Sequence, residues 1–459
     1  MLSLTFSVPI AVAYVYSERV EIFLVPLFLT LLLAIIFLIL SRKRSVETVG
    51  ERETYITVAL IWLLIPLFGS IPFILNNVSP IDAFFESFSG FTTTGATVLV
   101  PENLPKSLQF WRGMMQWLGG FGIVILTLIF LPQIKKSSAL FMAEYPSVVM
   151  PKIKPRIRDM AIVIFQIYFI LTILEITILT LLGVDLFKAV VHSFTTISTG
   201  GFSTNSESIS AFQDVRVEAA IAFFAFVGGM NFGIIYALTN KQLRSLADLE
   251  FRYYSTFILI SIAALTFINL NHYGFLDSIR FSAFQAISIM TTTGFTTADF
   301  NSWSDSAKMI ILTLMLIGGC SGSTAGGMKV IRFVILIKYI SLQIYRIMEP
   351  RAVRTVRYGN YVLEKDYVEE ILAFFVLFIF IFFISSLFLS LIGYDLETSL
   401  SLSASSLGNV GPAFGMAAKN VAEFSEFAKV ILIINMWVGR LEIIPVFTLL
   451  LSLAQREKW

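Results

Sequence analysis

The sequence predicts an all-α polytopic membrane protein, and three observations lead there. Hydrophobic residues make up 56% of the 459 and charged ones only 14%, with a mean hydropathy of +0.82. A soluble domain carries about a quarter charged residues. Apolar windows of roughly 20 residues, enough for a helix to cross a bilayer, recur along the whole chain. Between them one short run of small residues is used four times: Thr92-Thr93-Thr94-Gly95, Ile197-Ser198-Thr199-Gly200, Thr291-Thr292-Thr293-Gly294 and Gly408-Asn409-Val410-Gly411. A soluble enzyme with unusually apolar helices is a remote alternative. The single cysteine, Cys320, excludes an intramolecular disulfide and a thiolate metal cluster. His192 and His272 are not spaced as metal ligands and suit packing or interfacial roles.

Taken in order, residues 2–16 form a short transmembrane helix that lacks the basic flank and cleavage site of a signal peptide. A turn at Ser17-Glu18-Arg19 leads to a second helix, ending at Ser41-Arg42-Lys43-Arg44. A unit of spanning helix, half-helix, small-residue loop and spanning helix then recurs with a period of about 100 residues. Its first copy has a helix over 55–77, a half-helix from Asp82 to Phe91, and a helix over 110–132 closed by Pro132. The second spans 160–182 and 217–239 around a half-helix opened by Asp185. The third has a span over 254–271, a half-helix opened by Asp277 and a helix from near Ala307. The fourth spans 367–391 and 427–452 around a half-helix opened by Asp395. The expected division is a helix pair over 1–50 and four units over 51–150, 151–245, 246–360 and 361–459.

Lys and Arg concentrate in 42–53, 135–158, 241–252, 329–365 and the C-terminal tail, which the positive-inside rule makes cytoplasmic. The half-helices and loops then face outward. There the acids Asp82, Glu86, Glu102, Asp185, Glu207, Asp214, Asp277, Asp299, Asp305, Asp395, Glu397, Glu423 and Glu426 would concentrate cations at the mouth. Asp82, Asp185, Asp277 and Asp395 are expected to cap the half-helices, whose partly negative C-termini converge inside the membrane. Non-helical backbone at membrane depth survives only when buried in protein or lining a watery cavity, so four such loops share one cavity. Glycine permits the backbone angles this needs. Carbonyl and Thr hydroxyl oxygens then replace part of an alkali cation's hydration shell. One copy alone would be read as a helix-packing motif; four copies, each behind an Asp-led half-helix, are not.

The third inner helix is interrupted by Gly318-Gly319-Cys320-Ser321-Gly322-Ser323-Thr324-Ala325-Gly326-Gly327 and resumes at Val330. Each glycine costs a helix about 1 kcal/mol against alanine, so a break is expected. A phosphate-binding loop fails on spacing, since Met328 separates Gly327 from Lys329 and no Ser or Thr follows. Arg440 lies inside the last span with mostly apolar residues after it, too deep to snorkel, and must face protein or water. It is expected near the 318–327 loop as a barrier to ions. Glu442 is expected to balance a basic neighbour, and Glu175 to be structural without an assigned partner.

These residues resemble the Trk/Ktr/HKT superfamily of potassium transporters over essentially the whole chain. The marks are the run from Phe84 to Thr97, Gln116-Trp117-Leu118-Gly119-Gly120-Phe121-Gly122, Pro155-Arg156-Ile157-Arg158, the 318–329 loop and Gly439-Arg440-Leu441-Glu442. Two N-terminal helices make the chain most similar to the bacterial Trk-type pore subunit, although a short first helix points to an incomplete start. The resemblance implies a K+ filter lined by Thr93-Thr94-Gly95, Ser198-Thr199-Gly200, Thr292-Thr293-Gly294 and Asn409-Val410-Gly411, with Gly408 and Gly411 both candidates in the fourth loop. Sodium-preferring members carry Ser where Gly95 stands, so K+ is the expected cargo. The implied gate comprises Gly318, Gly319, Gly322, Gly326, Gly327, Lys329 and Arg440.

The resemblance also implies a homodimer in the cytoplasmic (inner) membrane, docked on a cytoplasmic nucleotide-binding regulatory ring, with filter loops facing outside. Segments 135–158 and 329–365 suit that docking or contact with anionic membrane lipid. The expected function is potassium uptake through a selective, gated, channel-like pore. A sodium-conducting or weakly selective channel of the same architecture is the alternative. An ion-coupled secondary transporter is less favoured, because four half-helices enter from one side instead of as inverted repeats. No enzyme activity, bound cofactor or nucleic-acid partner is expected.

Overall fold

The computed structural model describes residues 2–41, 50–130, 157–350, 354–359, 361–418 and 420–454. The stop at Pro132, the mark at Pro155-Arg156 and most of the basic segment 135–158 lie outside them. Five helices are long and apolar enough to cross a membrane among the described residues, or up to seven if each of two bent pairs is one span.

The N-terminal pair consists of α1 (Leu2–Thr5), α2 (Ser7–Val15) and α3 (Glu21–Ser41). The first of the two expected helices is thus short and interrupted at Phe6. Phe6 and Phe23 pack on Trp111, with ring centroids at 4.7 and 6.4 Å. The Glu18 carboxylate accepts the amides of Lys106 and Ser107 at 2.7 and 2.9 Å and so caps a helix of the first unit. Both contacts dock the pair on that unit.

The first unit holds α4 (Glu51–Gly69), α5 (Ile71–Leu75), the half-helix α6 (Pro80–Phe91) and the inner helix α7 (Lys106–Phe130). The second holds α8 (Ile157–Leu181), half-helix α9 (Leu186–Ile197), α10 (Val215–Gly228) and α11 (Phe232–Thr239). The third holds α12 (Leu249–Tyr273), half-helix α13 (Phe275–Met290), α14 (Asp305–Ile317) and α15 (Val330–Met348). A two-stranded antiparallel hairpin follows, β1 (Arg357–Tyr358) against β2 (Tyr361–Val362). The fourth unit holds α16 (Lys365–Ile392), half-helix α17 (Leu396–Gly408), α18 (Glu426–Arg440) and α19 (Ile444–Ala454). The half-helices form the centre: every residue of α6 from Phe85 to Phe91 is buried.

Three expectations need correction. The 217–239 span is bent by 102° between α10 and α11, and the 427–452 span by 114° between α18 and α19. At the first break Gly228-Gly229 weakens the helix, and the Asn231 side chain restarts it by accepting Gly233 N at 2.7 Å. At the second, Glu442 and Ile443 both adopt left-handed φ, 56° and 67°. Three inner helices are therefore interrupted, where the glycine pattern pointed to one. Only two of the four aspartates cap their half-helices: Asp185 accepts Phe187 N at 3.1 Å and Asp395 accepts Thr398 N at 3.2 Å. In α6 the cap is Ser79, reciprocated by Asp82, because Pro80 sets the first turn. Asp277 lies in the first turn of α13, which starts after Gly274.

Some of the acids expected at the outer mouth are also paired. Asp82 meets Lys429 at 2.6 Å, Glu86 meets Arg112 at 2.7 Å and Glu397 meets Lys308 at 2.7 Å. Asp214 pairs with Arg216 at 2.7 Å, whose hydrogen bonds hold its carboxyl down at about 2. The field attracting cations is weaker than the bare list of acids implies.

Candidate filter ring and intramembrane loop

Each half-helix ends in a loop with one backbone course. The second loop residue is left-handed in all four: Thr93 (φ 54°), Thr199 (52°), Thr292 (56°) and Asn409 (54°). The next amide bonds back five residues: Thr94 to Ser89 O, Gly200 to Thr195 O, Thr293 to Ser288 O and Val410 to Ser405 O, all at 2.8–2.9 Å. Then comes a positive-φ glycine: Gly95 (84°), Gly201 (76°), Gly294 (76°) and Gly411 (105°).

The second loop is thereby shifted by one residue from the expected triplet. Its counterpart of Thr93-Thr94-Gly95 is Thr199-Gly200-Gly201, and Ser198 is the helix cap matching Thr92 and Thr291. Adjacent glycines hid the shift, because Thr199-Gly200 reads like Thr94-Gly95. Counting seven residues on from Phe88 and from Phe194 reaches Gly95 and Gly201, which was the available signal. In the fourth loop the ambiguity resolves to Gly411; Gly408 ends the half-helix.

The four loops close into a ring. A Cβ placed on Gly95 would lie 2.2 Å from Gly200 O; one on Gly201, 1.9 Å from Thr293 O. On Gly294 it would lie 2.0 Å from Val410 O, and on Gly411, 2.5 Å from Thr94 O. Each glycine thus faces the preceding residue's carbonyl in the next loop, and the fourth returns to the first. Only glycine fits such a backbone approach at these φ values. The threonine hydroxyls, expected as ion ligands, mostly bind protein. Thr92 and Thr94 pair at 2.8 Å, as do Thr291 and Thr293, and Asn409 Nδ2 donates to Thr94 Oγ1 at 3.0 Å.

The inner helices reach the ring through small residues. A Cβ on Gly119 or Gly439 would sit 1.9 Å from Phe91 O or Leu407 O, and one on Gly228 would sit 3.1 Å from Ile197 O. In the third unit α14 stops at Ile317, and residues 318–329 form a buried loop instead.

That loop is bonded to the ends of the half-helices. Gly326 N donates to Thr292 Oγ1 at 2.7 Å and Gly327 N to Gly408 O at 2.9 Å. Thr324 Oγ1 donates to Ile197 O and Gly228 O at 3.0 and 3.1 Å and meets Thr199 Oγ1 at 3.3 Å. Gly318, Gly322 and Gly327 have positive φ, which the loop's tight course requires, while Gly319 packs against Ala325 Cβ and Gly326 against Gly408 O. Lys329 folds back to donate to Ala325 O.

Arg440 is buried at the end of α18, immediately before the bend into α19. Its Nη1 donates to Thr324 O at 3.0 Å and its Nη2 to Gly119 O at 3.5 Å. Arg440 thus contacts the glycine loop directly through Thr324. Glu442 pairs with Arg332, its basic neighbour. Glu175 is buried, with neither carboxylate oxygen hydrogen-bonded.

Four residues escaped the sequence reading of the site. Gln116 Nε2 donates to Gly200 O at 2.6 Å and its Oε1 accepts Phe202 N at 3.0 Å. Glu250 Oε1 accepts Ser321 N at 2.7 Å and Ile331 N at 3.2 Å, tying the loop to α12. Arg112 reaches behind the first loop, and Thr324 joins the intramembrane loop to the half-helices. Arg112 had a visible signal as a charge within an apolar span, whereas Glu250 fell in the basic segment 241–252, outside the expected span. Gln116 and Thr324 stand within family marks but had no assigned contact.

A helical membrane protein whose half-helices present a closed backbone ring above a buried loop is a pore-loop transport protein in architecture. The chain belongs to the TrkH family, described as a cation transport protein, whose profile matches residues 26–459. It is 37% identical over 422 residues to the Trk system potassium uptake protein TrkH of Escherichia coli strain K12, covering 89% of this chain and 86% of that protein. The TrkH of Halomonas elongata is 33% identical over 460 residues, covering 98% and 95%. The crystal structure of the potassium transporter TrkH from Vibrio parahaemolyticus superposes with a TM-score of 0.89 at 33% identity, covering 98% of this chain and 95% of that one.

Proposed function

We propose that this chain carries out potassium uptake across the cytoplasmic membrane through a selective, gated, channel-like pore. The closed glycine–carbonyl ring is the observation that carries the reading, and the relatives named as potassium uptake proteins support it. Backbone oxygens of Thr93-Thr94-Gly95, Thr199-Gly200-Gly201, Thr292-Thr293-Gly294 and Asn409-Val410-Gly411 replace part of the K+ hydration shell without trapping the ion. Below them the 318–329 loop and Arg440 restrict passage: the loop fills the path, and the guanidinium opposes cations. The filter loops face outward. The assembly is a homodimer on a cytoplasmic nucleotide-binding ring, and no catalytic chemistry is involved.

Purified protein in liposomes, offered potassium, rubidium, sodium and lithium separately, tests the reading. Potassium and rubidium are expected to enter faster than sodium and lithium. Equal sodium and potassium flux overturns potassium selectivity, and strict dependence on a proton gradient overturns the channel-like mechanism.

A further inference from the structure

Glu86 and Arg112 form the most deeply buried ion pair among the described residues, with side chains 0% and 2% exposed and Oε1 to Nε at 2.7 Å. Their place in the fold is specific. Five residues before Phe91, Ile197, Met290 and Leu407, the half-helices carry Glu86, His192, Gln285 and Leu402. In the first three that side chain holds the strand leaving the ring. Glu86 accepts Val98 N at 3.1 Å and Thr97 Oγ1 at 3.0 Å. His192 Nε2 lies 3.2 Å from Ser203 Oγ, and Gln285 Oε1 accepts Thr297 N at 3.3 Å. In the fourth, where Leu402 has no polar atom, Ser401 Oγ accepts Phe414 N at 2.9 Å. The strut is common to the units; only the first is ionic.

Arg112 extends that strut across the seam to the second unit. Its Nη2 donates to Thr97 Oγ1 and its Nη1 to Ser203 O, both at 3.2 Å, and it lies 4.2 Å from the Phe202 ring centroid. The other seams are joined by less buried pairs between an inner helix and the next half-helix. These are Glu218–Arg280 at 2.6 Å, Lys308–Glu397 at 2.7 Å and Lys429–Asp82 at 2.6 Å. The first-to-second seam has no such pair among the described residues. There α7 turns Arg112 and Gln116 inward, to the backbone on either side of Phe202.

Stability alone is a weak reason for such a pair, since an apolar core of the same volume often serves as well. A planar guanidinium fork, by contrast, fixes the separation of several acceptors at once. We propose that Glu86 and Arg112 are positioning residues for ion selectivity, clamping the strands after Gly95 and Gly201 so that the first and second loops keep their spacing in the ring. The inference rests on the potassium-pore reading, and the two fail separately.

The test compares wild type, Arg112→Lys and the double variant Glu86→Gln/Arg112→Met in liposomes, reading the ratio of potassium to sodium uptake beside the melting temperature. The double variant removes both charges together and retains an acceptor for Val98 N, but abolishes the bridge to Ser203. Its potassium-to-sodium ratio is expected to fall by about three- to tenfold, the worth of one net hydrogen bond, without a matching loss of melting temperature. Arg112→Lys keeps the charge and loses the fork, so an intermediate fall is expected. A wild-type ratio in the folded double variant overturns the proposal, leaving the pair a structural role only. If the double variant does not fold, Arg112→Lys decides alone: a reduced ratio supports the clamp and a wild-type ratio overturns it. A wild-type protein without potassium preference overturns the underlying pore reading, before any variant is compared.

Discussion

Replacing Gly201 with alanine, beside Gly200→Ala, tests the ring at the residue whose register the structure changes. At Gly201 the added Cβ would sit 1.9 Å from Thr293 O, far inside the 3.4 Å at which ordinary contact begins. One backbone must give by more than an ångström, and both belong to the ring. The φ of 76° adds roughly 1–2 kcal/mol for an L-residue in the left-handed region. At Gly200 the nearest atoms are the Gln116 carboxamide, the movable end of a side chain. Displacing it forfeits two hydrogen bonds, worth about 1 kcal/mol each, without moving the ring by contact. If 1.4 kcal/mol or more of the Gly201 strain is relieved by displacing coordinating oxygens, the potassium-to-sodium uptake ratio falls by at least about tenfold. The assay is separate rubidium and sodium tracer uptake into liposomes, with melting temperatures to verify folding. A wild-type ratio in Gly201→Ala together with a collapsed ratio in Gly200→Ala would refute the register and the ring closure built on it.

Removing the guanidinium in Arg440→Ala takes away the cation below the ring and two contacts with Thr324 and Gly119, so cation flux is expected to rise. Unchanged or lower flux in folded protein counts against a barrier. Glu250→Gln keeps an acceptor for Ser321 N but weakens two charge-assisted bonds, so basal rubidium leak should increase by roughly twofold to tenfold; a wild-type leak would show that Glu250 does not hold the loop shut. Asp395→Ala removes the cap of α17 and should destabilise the fold by about 1 kcal/mol. The Thr398 hydrogen bonds hold the Asp395 carboxyl below its usual range. Its contribution is therefore complete above the ordinary carboxylate pKa of about 4. It is lost as pH falls through the lower folded value, so melts between pH 7 and pH 2 should show wild type and variant converging only at the acid end.

The sequence by itself determined the membrane architecture, because apolar length and half-helix length are local properties of contiguous residues. It also located the small-residue loops, the glycine break after Ile317 and the buried Arg440, each visible as composition out of keeping with its surroundings. Tertiary structure decided the rest. The choice of Gly201 over Gly200 depends on which glycine meets Thr293 O, a residue from another unit. The bends after Gly228 and Arg440 leave enough apolar length on either side to imitate straight spans. All thirteen acids read as a cation funnel until partners appeared for some of them: Lys429 for Asp82, Arg112 for Glu86, Lys308 for Glu397. Threonine hydroxyls looked free to bind an ion until the loops and the 318–329 segment engaged them. For the ring and the ion pairs the deciding interaction joins residues far apart in the chain. Local chemistry specifies what a segment can bury or expose, whereas ring closure and charge pairing exist only once separate segments share a position in space.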